Sequence, residues 1–153
     1  ELTEFEKIML ELGEQGSYNH IIINERTLNY SLFNYLCDNL EEKKTILQEI
    51  FDYILRQKQT DFIYQCLVKN PENKTKILRA FFLCNIDSFI IFVSQKYDEK
   101  ERIVIIKDIL SDDLGFYVHY IYNKTLVEFL TKHKTEFENC NNTCKKNISI
   151  LLK

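Results

Sequence analysis

Residues 86–110 read IDSFIIFVSQKYDEKERIVIIKDIL. The runs 89–93 and 103–106 are continuous, apolar and rich in β-branched residues, a pattern that suits buried strands. Their flanks, however, extend each run into a window of helical length. Between them Asp98 and Glu101 match an acidic form of the capping box. There the cap side chain accepts from an amide three residues on, and the acid reaches back. Both runs are therefore expected to be helical. Asp87 would cap the first, through Phe89, Ile90 and Val93. Asp98 would open the second, through Ile103, Ile106, Ile109 and Leu110.

The same punctuation extends outward in both directions. Gly occurs three times and Pro once, so capping residues mark the boundaries. Asn24 can cap a helix carrying Leu28, Leu32, Tyr35 and Leu36. Asp38 or Asn39 can cap the next, with the stripe Leu47, Ile50, Phe51 and Ile54. Thr60 can cap a helix with Phe62, Ile63, Cys66 and Leu67. Asn70-Pro71 opens another with Ile77, Leu78, Phe81 and Phe82. Beyond residue 110, Ser111 can cap a helix with Leu114, Tyr117, Val118 and Ile121. Asn123 can cap one with Leu126, Val127 and Leu130. At the other end, Thr3 and Glu6 form a possible capping box for a helix to about Leu12, and 20–23 is ambiguous between strand and buried turn.

The expected fold is all-α. Its segments fall into two alternating series. One begins at Leu32, Phe62, Phe89 and Phe116, at spacings of 30, 27 and 27 residues. The other comprises TILQEIF, KILRAFF, RIVIIKDIL and TLVEFL. This reads as short antiparallel helix pairs, each unable to bury its apolar face alone, stacked as an α-solenoid-like repeat or an irregular helical bundle. The organisation expected is an N-terminal helix and connector over 1–23, a helical-hairpin repeat domain over 24–136, and a polar loop with a short C-terminal segment over 137–153.

Within this frame, residues 112–118, DDLGFYV, resemble the Asp-x-x-Gly-Asn-Tyr-Val pattern of Pumilio-family repeats. Residues 61–65, DFIYQ, resemble the neighbouring part, where a Gln reads a base. The resemblance spans roughly residues 28–130 and implies a helical repeat; HEAT-type arrays fit the pitch about as well. It also implies one RNA base per repeat, held by two edge readers and one stacking residue. By position these would be Asp61, Phe62 and Gln65; Ser88, Phe89 and Phe92; and Phe116, Tyr117 and Tyr120. Phe92 and Phe116 offer no hydrogen bond to a base edge, and the pitch is shorter than the family's.

Composition bears on function mainly by exclusion. The 153 residues carry a net charge of −3, whereas nucleic-acid binders usually show a basic face. The charge is uneven: 1–50 is acidic, and 131–153, with five Lys and two Glu, is the basic stretch. Phosphate-cradling glycine motifs are missing, and no apolar run is long enough for a membrane span. Heavy use of Ile, Asn and Lys, against four Arg and one Ala, reads as the coding of an AT-rich genome such as a parasite or large DNA virus carries. The chain starts at Glu1, as expected of a processed or trimmed piece.

No catalytic constellation stands out. His20, His119 and His133 are far apart, with His119 expected in a core or interface and His133 solvated. Glu41-Glu42 and Asp112-Asp113 fall where helix N-termini favour acids. Cys37, Cys66 and Cys84 sit on apolar faces. Cys140 and Cys144 with His133 supply at most three ligands where structural zinc takes four, so no metal or cofactor is expected. A local disulfide between Cys140 and Cys144 would suit a secreted protein. Five N-x-[ST] sequons, at Asn29, Asn73, Asn123, Asn141 and Asn147, also lean that way, but helix caps select the same residues. A cytoplasmic location is the main expectation.

The resulting expectation is a non-enzymatic helical-repeat scaffold that engages a protein partner, with Gln65, Phe116, Tyr117 and Tyr120 as its candidate binding face. The alternatives are Pumilio-like RNA binding, and a viral or parasite host-modulating bundle similar in size to Bcl-2-like proteins.

Overall fold

The structure, a computed structural model, describes residues 23–24, 27–28, 30–56 and 60–153. The helix expected before Leu12 lies outside these residues. Among the described residues the regular structure is helical apart from a two-residue-per-strand ladder. There β1 (Ile23–Asn24) pairs antiparallel with β2 (Thr27–Leu28), Ile23 opposite Leu28 and Asn24 opposite Thr27. A ladder this short is no sheet in its own right. It also corrects one boundary: Leu28 belongs to a strand, and the first described helix starts at Tyr30 rather than after Asn24.

The helices are α1 (Tyr30–Asp38), α2 (Leu40–Arg56), α3 (Thr60–Lys69), α4 (Lys74–Cys84), α5 (Ile86–Lys96), α6 (Glu99–Leu110), α7 (Lys124–Lys132), α8 (Lys134–Phe137) and α9 (Asn142–Leu151). Two 3-10 segments, Pro71–Asn73 and Gly115–Tyr120, interrupt the series. The chain forms two compact units, Glu1–Ala80 and Phe81–Lys153, and the division falls within α4.

In the first unit, Phe33, Leu36 and Cys37 are buried at the i, i+3, i+4 spacing of one face of α1, and Leu40, the first residue of α2, is buried as well. α1 packs on α2, and Phe33 meets Phe51 edge-to-face with centroids 5.7 Å apart. The turn between them is the single residue Asn39. Its side chain donates back to the Tyr35 carbonyl at 2.8 Å, closing the end of α1. Asp38 is ion-paired with Lys76.

In the second unit the core is aromatic at one end. Phe81, Phe82, Phe89 and Phe92 are buried and meet edge-to-face, with centroids 5.3 to 5.7 Å apart. Both β-branched runs are helical. In α5, Phe89, Ile90, Phe92 and Val93 are buried and Ile91 is 58% exposed. In α6, Ile105, Ile106, Ile109 and Leu110 are buried and Val104 is 58% exposed. Burial at i, i+1, i+3, i+4 in α5 and at i, i+1, i+4, i+5 in α6 is the signature of one helix face, whereas a strand would alternate.

The capping box forms as expected. Glu101 donates its amide to Asp98 Oδ1 at 2.8 Å, and Asp98 its amide to Glu101 Oε1 at 3.2 Å. Asn123 caps α7 by accepting from the Leu126 amide at 2.9 Å.

Four expectations change in this unit. Asn85, not Asp87, caps α5, accepting from the Ser88 amide. Ser111 closes α6 rather than opening a helix; its hydroxyl donates to the Lys107 carbonyl at 2.7 Å. The segment beginning at Phe116, fourth of its series, is a 3-10 helix rather than an α-helix. The polar stretch expected as a loop from 137 onward instead holds α9, capped by Asn141, which accepts from the Cys144 amide at 2.8 Å. Its polar residues are those of a helix N-terminus, and Cys144 and Leu151 bury its apolar side.

Candidate functional site

The most distinctive surface is the 3-10 helix Gly115–Tyr120. It is launched by a turn that needs glycine for its dihedral angle: Gly115 has φ +60°, while an added Cβ there would meet nothing within 4 Å. Asp113 holds the turn, its Oδ1 accepting from the Gly115 amide at 2.9 Å. That assigns Asp113 to turn formation.

With three residues per turn, side chains at i and i+3 eclipse, so the helix presents three rows. Gly115 and Val118 form one row, in which Gly115 is exposed and Val118 is buried. Phe116 and His119 form a second row, and both are exposed. Tyr117 and Tyr120 form the third, the first half-buried and the second exposed. Phe116 is 83% and Tyr120 85% exposed, and Tyr122 beyond the helix is 72% exposed. Two aromatic rows thus face solvent on a helix pinned by one valine.

Beneath them, the 3-10 helix packs on α9. A cavity of about 170 Å³ lies between the two, with Val118 and His119 on one side and Thr143, Lys146 and Ile150 on the other. Three asparagines hold this platform. Asn147, buried, donates its amide to the carbonyls of Leu110 at 2.8 Å and Asp112 at 3.1 Å. Asn141 donates to the Ser111 carbonyl at 3.2 Å. Asn123 donates to Asp87 Oδ1 at 2.7 Å. Three of the five sequons therefore serve as caps and cross-links.

Of the expected site residues, Gln65 is exposed on α3 in the first unit, and Phe116, Tyr117 and Tyr120 lie together in the second. The side chains of Asp61 and Phe62 lie outside the description. Phe89 and Phe92 are corrected: at 0% and 1% exposure they are core residues and cannot stack on a base.

His133 is a second correction. It is buried, not solvated, with its ring 4.6 Å from that of Phe129. Its Nε2 lies 3.5 Å from Glu99 Oε1 and its Nδ1 3.6 Å from Glu136 Oε1. The Lys neighbours in sequence suggested solvent, but Phe129 and Phe137, four residues to either side on the same face, were the overlooked signal.

The buried thiols are not activated. Burial pushes Cys66 up to about 12, against a smaller opposing effect of its hydrogen bond from Asn70. Burial and the adjacent Cys140 push Cys144 to about 12 as well. Among the described residues no three His, Cys, Asp or Glu side chains gather as a metal site, and no helix is long and apolar enough to cross a membrane. Comparison with known proteins found no matching family model, no matching curated protein and no matching solved structure.

Proposed function

We propose that this chain is a non-enzymatic helical binding module that engages a protein partner through the aromatic face of residues 116–122. The observation that carries this reading is the exposure of Phe116 and Tyr120, both above four-fifths, on a braced helix. Solvent-facing aromatics offer large apolar area at low entropic cost, and such residues anchor protein interfaces. The test uses the full chain as bait in extract from its source cell, beside a Phe116→Ser/Tyr120→Ser variant. A partner kept by the wild type and lost by the variant supports the reading. Equal retention by both sinks it.

RNA binding is the second reading, favoured by the exposed Phe116 and Tyr120 at the positions where the Pumilio-like pattern would stack a base. Its test is anisotropy with a randomised single-stranded RNA pool from about 50 to 200 mM salt. Binding that weakens steeply with salt supports it, and no binding at the lowest salt excludes it.

Within the first reading the module works in the cytoplasm. What supports this is that Asn123, Asn141 and Asn147 have their side-chain amides engaged in hydrogen bonds. That use accounts for these sequons without glycosylation.

A further inference from the structure

Cys140 and Cys144 bracket the start of α9. Cys140 precedes the cap residue Asn141 and is half-buried. Cys144 is the third residue of the helix and is fully buried. Because the Cys144 amide donates to Asn141 Oδ1 at 2.8 Å, the chain folds back on itself there. The two side chains are neighbours across this turn, close enough that the Cys140 thiol helps keep Cys144 protonated, and both are free. Ser111 and the Lys107 ammonium act on Cys144 in the opposite direction.

We propose that Cys140 and Cys144 are a redox modification site, closing to a local disulfide when a small-molecule disulfide reaches Cys140. In the first step Cys140 gives its proton to solvent and its sulfur attacks the oxidant's disulfide. That S–S bond breaks, and one thiol leaves. In the second, Cys144 gives up its proton and attacks the Cys140 sulfur of the mixed disulfide, and the second thiol leaves. Two protein thiols are oxidised and one external disulfide is reduced to two thiols.

The order follows from access. Cys140 is half-buried and can meet an oxidant; Cys144 is sealed in and can meet only Cys140. The thiolate is the attacking species. Burial keeps Cys144 protonated at neutral pH, so ring closure speeds up as the pH is raised. The site is independent of the aromatic-face reading. It does sit at the head of the helix that supports that face.

The test is oxidation of the full chain with excess glutathione disulfide, followed by alkylation, intact mass and peptide mapping. The expected result is loss of two hydrogens, a link mapped between Cys140 and Cys144, and recovery with dithiothreitol. Cys37, Cys66 and Cys84 remain available to alkylation after unfolding. A Cys144→Ser variant should stop at a glutathione adduct on Cys140. Because Cys144 is buried, Cys140→Ser at the half-buried position is the second control, and it should form neither adduct nor link. A stable adduct on wild-type Cys140, a link to another cysteine, or no reaction even as the pH is raised would overturn the proposal.

Discussion

Asn147 donates its side-chain amide to the Leu110 carbonyl across 2.8 Å, joining the buried face of α9 to the last turn of α6. The same amide reaches the Asp112 carbonyl at 3.1 Å. Helix ends leave carbonyls without partners, and here a residue 37 positions along the chain supplies the donor. Replacing Asn147 with Ala should therefore destabilise the protein by about 1–3 kcal/mol, since buried acceptors lose their donor. Urea unfolding of wild type and Asn147→Ala measures it; a change inside error would show that water replaces the amide without cost.

The turn before the aromatic helix makes a separate claim. Gly115→Ala meets no steric obstacle but puts a side chain at φ +60°. It should cost about 1–2 kcal/mol from the left-handed backbone alone. The same unfolding assay reads this, and a neutral result would mean that the turn relaxes to negative φ.

The aromatic face should separate binding from stability. Phe116→Ser and Tyr120→Ser remove side chains that are 83% and 85% exposed, so stability should stay within about 0.5 kcal/mol of wild type. If the face is the interface, binding of the captured partner should weaken by at least about 2 kcal/mol for the more central of the two. Calorimetric titration against that partner checks both halves. Loss of fold in either variant would mean that the rings are structural.

Asp98→Ala tests the capping box. The Glu101 amide loses its side-chain acceptor while the backbone amide of residue 98 can still donate to Glu101, and α6 should lose about 1 kcal/mol. Glu101→Gln keeps the side-chain oxygen that accepts from the Asp98 amide and should be milder. Thermal unfolding of the two variants, ranked in the opposite order, would contradict the observed bond pattern.

Cys66 sets a pH dependence. Its folded pKa is raised from 9.0 to about 12, so above 9.0 the unfolded chain loses this proton first. Its contribution is complete below 9.0 and declines as pH rises toward 12, by up to about 1.4 kcal/mol per pH unit. Wild type should thus lose stability faster than Cys66→Ala over this window, the difference isolating the thiol from Tyr and Lys titrations. Parallel curves would place the Cys66 sulfur in contact with water.

The residues legible in advance were those whose partners lie within one helical turn. Asp98 with Glu101, and Asn123 with the Leu126 amide, are three-residue relationships. Of the stripe expected in α6, Ile106, Ile109 and Leu110 are buried, as helical period sets; in α1 the buried face is Phe33, Leu36 and Cys37, which shares Leu36 with the expected stripe. The misread residues have distant partners or compete for local ones. Asp87 was a plausible cap, but Asn85 takes the role and Asp87 receives Asn123 from 36 positions away. His133 looked solvated among lysines until Phe129 and Glu99 closed over it. At the candidate site, the aromatic residues were visible as a cluster, but not which rings face out.

From sequence alone, then, come the all-helical character and the helix starts near Asn39, Thr60, Asp98 and Asn123, because apolar period and capping are short-range properties of the chain. Tertiary structure alone decided that Phe89 and Phe92 are core while Phe116 and Tyr120 are surface, although all four lie in similar aromatic runs. The physical reason is partnership: Phe89 and Phe92 meet Phe81 and Phe82 across a turn. The 3-10 helix instead buries Val118 and leaves its Phe116 and Tyr120 rings to solvent.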